Sequence, residues 1–252
     1  MRGDLEILAV ILHSFFIALF ASSIILNYRI AKFLNLSLGS MYTLGAYVAY
    51  LLSKDVITAI IVSGLVGFTA GIVLCYLIKF LSKNTIEATI VSLGFGISIE
   101  EILRVSLQTS YFLVVELEET FLNIFGEKIS ILQLTQAGIS FLFFILLFAL
   151  FKSSYGLKLK FIEEDLELAE LYGVDTDKYI FSVITVTSFL ISVSGCLLST
   201  TQALSPLMGF PILICGIIVA ALAVIFGGIG AKLHINSILV SVTYSLLAGM
   251  VL

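Results

Sequence analysis

Residues 152–178 read Lys152-Ser-Ser-Tyr-Gly-Leu-Lys-Leu-Lys-Phe-Ile-Glu-Glu-Asp-Leu-Glu-Leu-Ala-Glu-Leu-Tyr-Gly-Val-Asp-Thr-Asp-Lys178. This is the one long charged segment of the chain, and it separates two apolar halves. A charged, partly helical loop kept between membrane-like stretches usually meets something in water. The pattern therefore points to a transmembrane subunit with a soluble partner.

The composition outside this loop agrees. Of 252 residues, 60% are apolar and only 12% are charged, against about 25% charged in soluble domains. Mean hydropathy is +1.17. The net charge of −4 carries little meaning, because charges in membrane proteins act by position. No basic patch suggests nucleic acid as a partner. Cys75, Cys196 and Cys215 all lie in apolar runs without a CxxC spacing, so buried free thiols are expected. The first apolar run is about a full span long and lacks a small-residue cleavage site, which speaks against a cleavable signal peptide.

A helix needs about 20 apolar residues to cross the hydrocarbon core. Eight runs approach that length: 5–26, 36–53, 56–81, 88–107, 129–151, 179–203, 210–229 and 234–252. The second and last are short, and either could be re-entrant or broken. The expected fold is all-α, a polytopic transmembrane helix bundle of about eight spans. It is read as a single domain over 1–252 with one amphipathic cytoplasmic coupling helix in the loop at about 152–178.

Lys and Arg set the orientation. Arg29, Lys32, Lys79, Lys83, Lys152, Lys158, Lys160, Lys178 and Lys232 fall on one side, and Arg2, Lys54, Arg104 and Lys128 on the other. The positive-inside rule then puts the charged loop in the cytoplasm and the N-terminus outside. Residues 110–128 fall outside. Their stretch at 111–119 alternates in a weakly strand-like way. It reads either as a solvated loop on the headgroups or as a docking surface for an extracellular partner.

Polar groups within apolar runs are costly and mark candidate function. Glu100 and Glu101 lie towards the outer end of the fourth run, with Arg104 at i+4 and i+3, a spacing that permits an intrahelical ion pair. They read either as paired interfacial charges or as part of a translocation path. The second run opens with Asn35, Ser37, Gly39, Ser40, Tyr42, Thr43 and Gly45. This is either a capped, tightly packed helix start or a discontinuous helix that presents backbone groups to a polar solute. Gly67 and Gly71 have the spacing of close helix packing, and Gly227, Gly228 and Gly230, at the end of the seventh run, are read with them as helix-packing glycines. Pro206 and Pro211 read as helix punctuation. His13 and His234 have no partners at ligand spacing, so no metal site is expected.

No phosphate-binding loop, nucleophile elbow or His/Asp/Ser set is present. The chain reads as a non-enzyme without a cofactor, and ATP, if used, would be bound by another polypeptide. Within the charged loop, residues 163–172 read as a short helix with acids at its N-terminal end. Leu166, Ala169 and Tyr172 or Gly173 form a stripe with Leu168 beside it. Gly173 is suited to the C-cap, and Asp175 or Thr176 to the next N-cap. Such a helix fits a groove on a partner, or lies on the membrane or its own bundle.

These residues resemble the permease subunits of branched-chain amino acid ABC importers. The match runs through Tyr155-Gly156, Glu164-Asp165, Ala169-x-Leu171-x-Gly173-Val174-Asp175 and Lys178, similar to the family's cytoplasmic loop. It continues in Asn35-Leu-Ser-Leu-Gly39 with Gly45-Ala-Tyr47, in Ser92-Leu-Gly94 with Glu100, and in Gly227-Gly228-Ile-Gly230. The chain departs after Gly230, where Ala231 to Ser237 replace the family's Ser and Pro-Gly. It also ends at Leu252, shorter than most relatives.

The resemblance implies a permease of the prokaryotic plasma (inner) membrane. Its implied partners are ATP-binding cassette subunits, a second permease (identical or homologous), an extracellular solute-binding protein and membrane lipid. A substrate pathway is expected at Asn35, Ser37, Ser40, Ser92, Gly94, Glu100 and Glu101. Coupling to the ATPase subunit is expected at Glu164, Asp165, Leu166, Ala169, Leu171 and Gly173. The solute class implied is branched-chain or other small amino acids, with urea, sugars and nucleosides as alternatives within the superfamily. From other classes, the alternatives are a proton-coupled secondary transporter using Glu100 or Glu101, and a non-transporting scaffold.

Overall fold

Among the described residues, each of the eight apolar runs holds one helix, and two further helices occupy the charged loop. The computed structural model describes residues 7–53, 55–107, 113–115, 120–124 and 127–251. In chain order the elements are α1 (Ile7–Leu26), continued by one wide π-type turn (Asn27–Ala31), α2 (Leu38–Leu51), α3 (Val56–Leu81), α4 (Thr85–Leu107), β1 (Phe121–Ile124), β2 (Glu127–Ser130), α5 (Ile131–Lys152), α6 (Ser154–Glu164), α7 (Leu166–Leu171), α8 (Thr176–Leu198), α9 (Gly209–Ile225) and α10 (Ala231–Val251).

Among the described residues, four helices are long and apolar enough to cross a bilayer alone: α1 with its following turn, α3, α5 and α8. The 14-residue α2 and 17-residue α9 are short, and α4 carries Glu87, Glu100, Glu101 and Arg104. The architecture is a predominantly helical bundle, as the hydropathy pattern requires.

Helix boundaries follow local chemistry. Asp55 caps α3, accepting from the Ile57 N–H at 3.1 Å and from the Thr58 hydroxyl. The Thr58 hydrogen bond holds its carboxyl below the ordinary value. Ser130, Ser153, Asp165 and Asp175 cap α5, α6, α7 and α8 in the same way. Pro211 falls in the first turn of α9, where its missing N–H leaves no donor unpaired.

The chain divides into two compact units. The first comprises Met1–Ser22, Glu119–Val174 and Cys215–Leu252. Here α5 packs with α6 and α10, and α6 with α7. The antiparallel hairpin β1–β2 pairs Phe121 with Ser130 and Leu122 with Ile129. From β2, the Glu127 carboxylate accepts the N–H groups of Leu8 (3.1 Å) and Ala9 (3.3 Å), a negative charge on the positive end of α1. Ser22 on α1 and Ser237 on α10 share a buried hydroxyl bond of 2.8 Å. The strand-like alternation read at 111–119 lies largely outside the described residues. The strands observed come later, at 121–130, and take in residues 129 and 130 of the fifth apolar run.

The second unit comprises Ser23–Glu118 and Asp175–Ile214. Here α8 lies against both α2 and α3, and α4 against α2 and α3. Lipid tails are as apolar as leucine, so these helices are held by close packing and hydrogen bonds rather than by escape from water. Small residues permit the approach. A Cβ on Gly45 would sit 1.8 Å from the Ser192 carbonyl oxygen, and one on Gly195 would sit 2.0 Å from that of Tyr42. Gly67 and Gly71 of α3 face Ser192 and Ser188 of α8. The Ser192 hydroxyl donates to the Ser63 carbonyl at 2.8 Å.

Gly227, Gly228 and Gly230, grouped with the packing glycines on sequence, lie instead in the loop after α9, which already ends at Ile225. All three have positive φ (73°, 122° and 58°), a region closed to most side chains. Their glycine identity answers to loop conformation, and Gly230 also lies where a Cβ would meet Lys160 of α6 at 3.0 Å and Phe151 of α5 at 3.4 Å.

Candidate functional site

Two regions carry the residues singled out on sequence. The first lies in the second unit, where the chain breaks between α1 and α2. The wide turn ends at Lys32, which adopts a left-handed conformation (φ 59°), and α2 begins only at Leu38. The backbone between them cannot satisfy itself, and at membrane depth every polar group needs a partner. Hydroxyls of α4 supply it. Thr89 accepts the Leu34 N–H at 3.2 Å, and Ser92 accepts that of Leu36 at 3.1 Å. Ser92 also donates to the Leu34 and Thr89 carbonyls.

A buried amide chain lines the same break. Asn27 donates to the Ser23 carbonyl (2.8 Å) and to the Thr187 hydroxyl (3.0 Å), and accepts from Asn35 (3.3 Å). Asn35 in turn accepts the Ser37 N–H (3.2 Å) and hydroxyl (2.7 Å). One turn into α2, the Ser40 hydroxyl donates to Glu100 at 2.8 Å. A Cβ on Gly96 would meet the Ser40 oxygen at 2.8 Å, so this glycine lets α4 approach α2.

The structure thus brings together Asn35, Ser37, Ser40, Ser92 and Glu100. It sets Gly94 and Glu101 apart on the exposed face of α4. Gly94 meets nothing within 4 Å of an added Cβ, and Glu101 forms a two-pronged ion pair with Arg104. Of the two acids, only Glu100 belongs to the polar network. Sequence reading missed Asn27, Thr89 and Thr187. The amide of Asn27, directly after the first apolar run, was the available signal.

The second region is the charged loop, in the first unit. It forms two helices rather than the single one read at 163–172. Residue 165 divides them: Asp165 has extended backbone (φ −152°, ψ 113°), ends α6, and caps α7 by accepting the Leu168 N–H at 3.0 Å. Glu164 is the exposed last residue of α6. Gly173 (φ 77°) closes α7, with its N–H on the Glu170 carbonyl (2.9 Å) and the Val174 N–H on that of Ala169 (3.0 Å). That pair of bonds is the expected glycine stop.

Burial assigns the faces of α7. Ala169 is fully buried and Leu166 half-buried, so this edge faces the protein. Leu168, Leu171 and Tyr172 face outward, with Leu171 84% and Tyr172 76% exposed. Tyr172 therefore leaves the stripe assigned to it and joins the outer ridge, where its ring lies 6.4 Å from that of Phe161. Leu168, Leu171 and Tyr172 thus form an exposed apolar ridge among charged residues.

Glu163, not among the residues expected to act, is buried at 6% exposure. Its carboxylate accepts the Gly230 N–H at 3.0 Å. Beside it Phe151 stacks on His234 at 5.6 Å.

Comparison with known proteins agrees with the reading from residues. Residues 6–252 match the family model described as branched-chain amino acid transport system / permease component. The tyrosine transport system permease protein of Clostridioides difficile (strain R20291) is 28% identical over 216 residues, covering 84% of this chain and 70% of that protein. No solved structure matches. With four long apolar helices, the match makes this a multi-pass membrane protein.

Proposed function

The chain belongs to the branched-chain amino acid transport system permease family, and from that premise we propose that it is the membrane-spanning subunit of an ATP-driven importer of small amino acids. The observation that carries the reading is the exposed ridge of Leu168, Leu171 and Tyr172 on a helix fixed at both ends. An ATP-binding cassette subunit is the partner that covers it. That subunit holds the ATP, and a second permease copy or homologue and an extracellular binding protein complete the system in a prokaryotic plasma membrane.

In this reading the broken segment before α2 is the solute's path. The half-buried Glu100 carboxylate, steadied by Ser40, suits the ammonium group of an amino acid. The amides and hydroxyls of Asn35, Ser37 and Ser92 shape the backbone around it. Closure of the ATP-binding subunits moves the α6–α7 hairpin and tilts the bundle. Branched-chain amino acids head the list of solutes. Aromatic ones join it because the relative in Clostridioides difficile is named for tyrosine.

Uptake in proteoliposomes holding the purified complex tests this. Uptake of an amino acid that needs internal ATP and survives a protonophore supports the reading. A half-buried Glu100 also suits proton-coupled transport. Uptake that collapses with a protonophore while ATP is maintained would favour that second reading.

A further inference from the structure

We propose that Glu163 is the positioning residue through which the α6–α7 hairpin drives α10, a proposal that rests on the ATP-driven reading above. The hairpin is anchored at three points. At its start, Gly156 packs against the end of α5 so closely that a Cβ would lie 2.2 Å from the Leu150 carbonyl oxygen. At its middle, Asp165 ends α6 and caps α7, so this single extended residue joins the two helices. Between these points, Glu163 reaches the loop before α10 and accepts the Gly230 N–H.

Burying a carboxylate is costly unless donors hold it. One donor here is the backbone of the residue preceding α10, at the positive end of that helix. The bond joins two elements 67 residues apart in sequence, and it is buried. Lys160, one turn earlier on α6, passes its stem over Gly230, where a Cβ would meet Lys160 Cε at 3.0 Å.

The receiving loop is built to turn. Gly227, Gly228 and Gly230 all have positive φ, and the Gly227 carbonyl accepts the Asn236 amide of α10 at 2.6 Å. A displacement of the outer ridge of α7 therefore passes through Asp165 and α6 to Glu163, and from its carboxylate to the first turn of α10.

The test compares the wild-type complex with Glu163→Ala and Glu163→Gln, each reconstituted with its ATP-binding subunit. The readout is solute moved per ATP hydrolysed, a ratio independent of how much complex survives purification. Loss of a charged hydrogen bond of this kind predicts that Glu163→Ala lowers the ratio about tenfold while hydrolysis continues. Glu163→Gln keeps a carbonyl acceptor and is expected to lose less. A ratio unchanged in both variants would overturn the role of Glu163, as would uptake and hydrolysis falling together in proportion. Should Glu163→Ala fail to fold, Glu163→Gln decides alone: a lowered ratio supports the proposal and an unchanged one ends it. If the unmutated complex shows no ATP-dependent uptake, the failure belongs to the importer reading and is visible in that control.

Discussion

The polar break before α2 and the α6–α7 hairpin solve opposite problems. In the break, irregular backbone and buried amides are matched within the unit: Thr89, Ser92, Thr187 and the Asn27–Asn35 pair supply partner after partner. In the hairpin, the polar groups are capped at helix ends and the apolar side chains are left outside. The first region is finished by its own chain. The second leaves Leu168, Leu171 and Tyr172 exposed. Substitutions should therefore damage folding in the first region and partnership in the second.

The sharpest way to break this comparison is steric. Gly45→Val places a side chain where a Cβ already lies 1.8 Å from the Ser192 oxygen. It should cost more than about 3 kcal/mol and prevent accumulation in the membrane, read by membrane immunoblot. Normal accumulation would contradict the packing of α2 on α8.

On the hairpin side, Leu171→Glu with Tyr172→Glu should leave the membrane level unchanged. It should weaken capture of the ATP-binding subunit by at least about thirtyfold in a binding titration. A loss of the permease itself would mean that this ridge is internal.

A smaller effect sharpens the contrast between the two faces of α4. Glu100→Ala removes the acceptor of Ser40 and should cut uptake about tenfold. Glu101→Ala breaks only an exposed pair with Arg104 and should change uptake less than about twofold. Equal losses would contradict the separation of the two acids.

The smallest expected effect concerns the cap of α8. Asp175 is held below its ordinary pKa chiefly by its hydrogen bond with Lys178. A depressed carboxyl stabilises the folded state above the unfolded value and loses that contribution as pH falls through the folded one. Asp175→Asn should lower Tm by about 1–2 °C at pH 7, with the difference fading below about pH 4.

The helices were legible because a bilayer demands long apolar runs, and α3 coincides with its run at 56–81. The stop at Gly173 was legible because a left-handed residue after a helix favours glycine. Helix α6 was not. Its buried positions Gly156, Leu159, Ile162 and Glu163 have helical spacing, but one is a glycine and one an acid, and Leu-Lys-Leu-Lys at 157–160 hides the period. The partners in the polar break were beyond reach for a different reason. Asn27 and Thr187 lie 160 residues apart, and nothing local marks them as neighbours. Nor does i+3 against i+4 spacing decide which acid Arg104 takes; rotamer and packing do.

Affinity purification from native membranes in mild detergent, followed by mass spectrometry, tests the central claim most directly. The account predicts a stoichiometric ATP-binding subunit that is lost in the Leu171→Glu, Tyr172→Glu variant while the permease remains. A wild-type chain that purifies alone, stable and monodisperse, would contradict it.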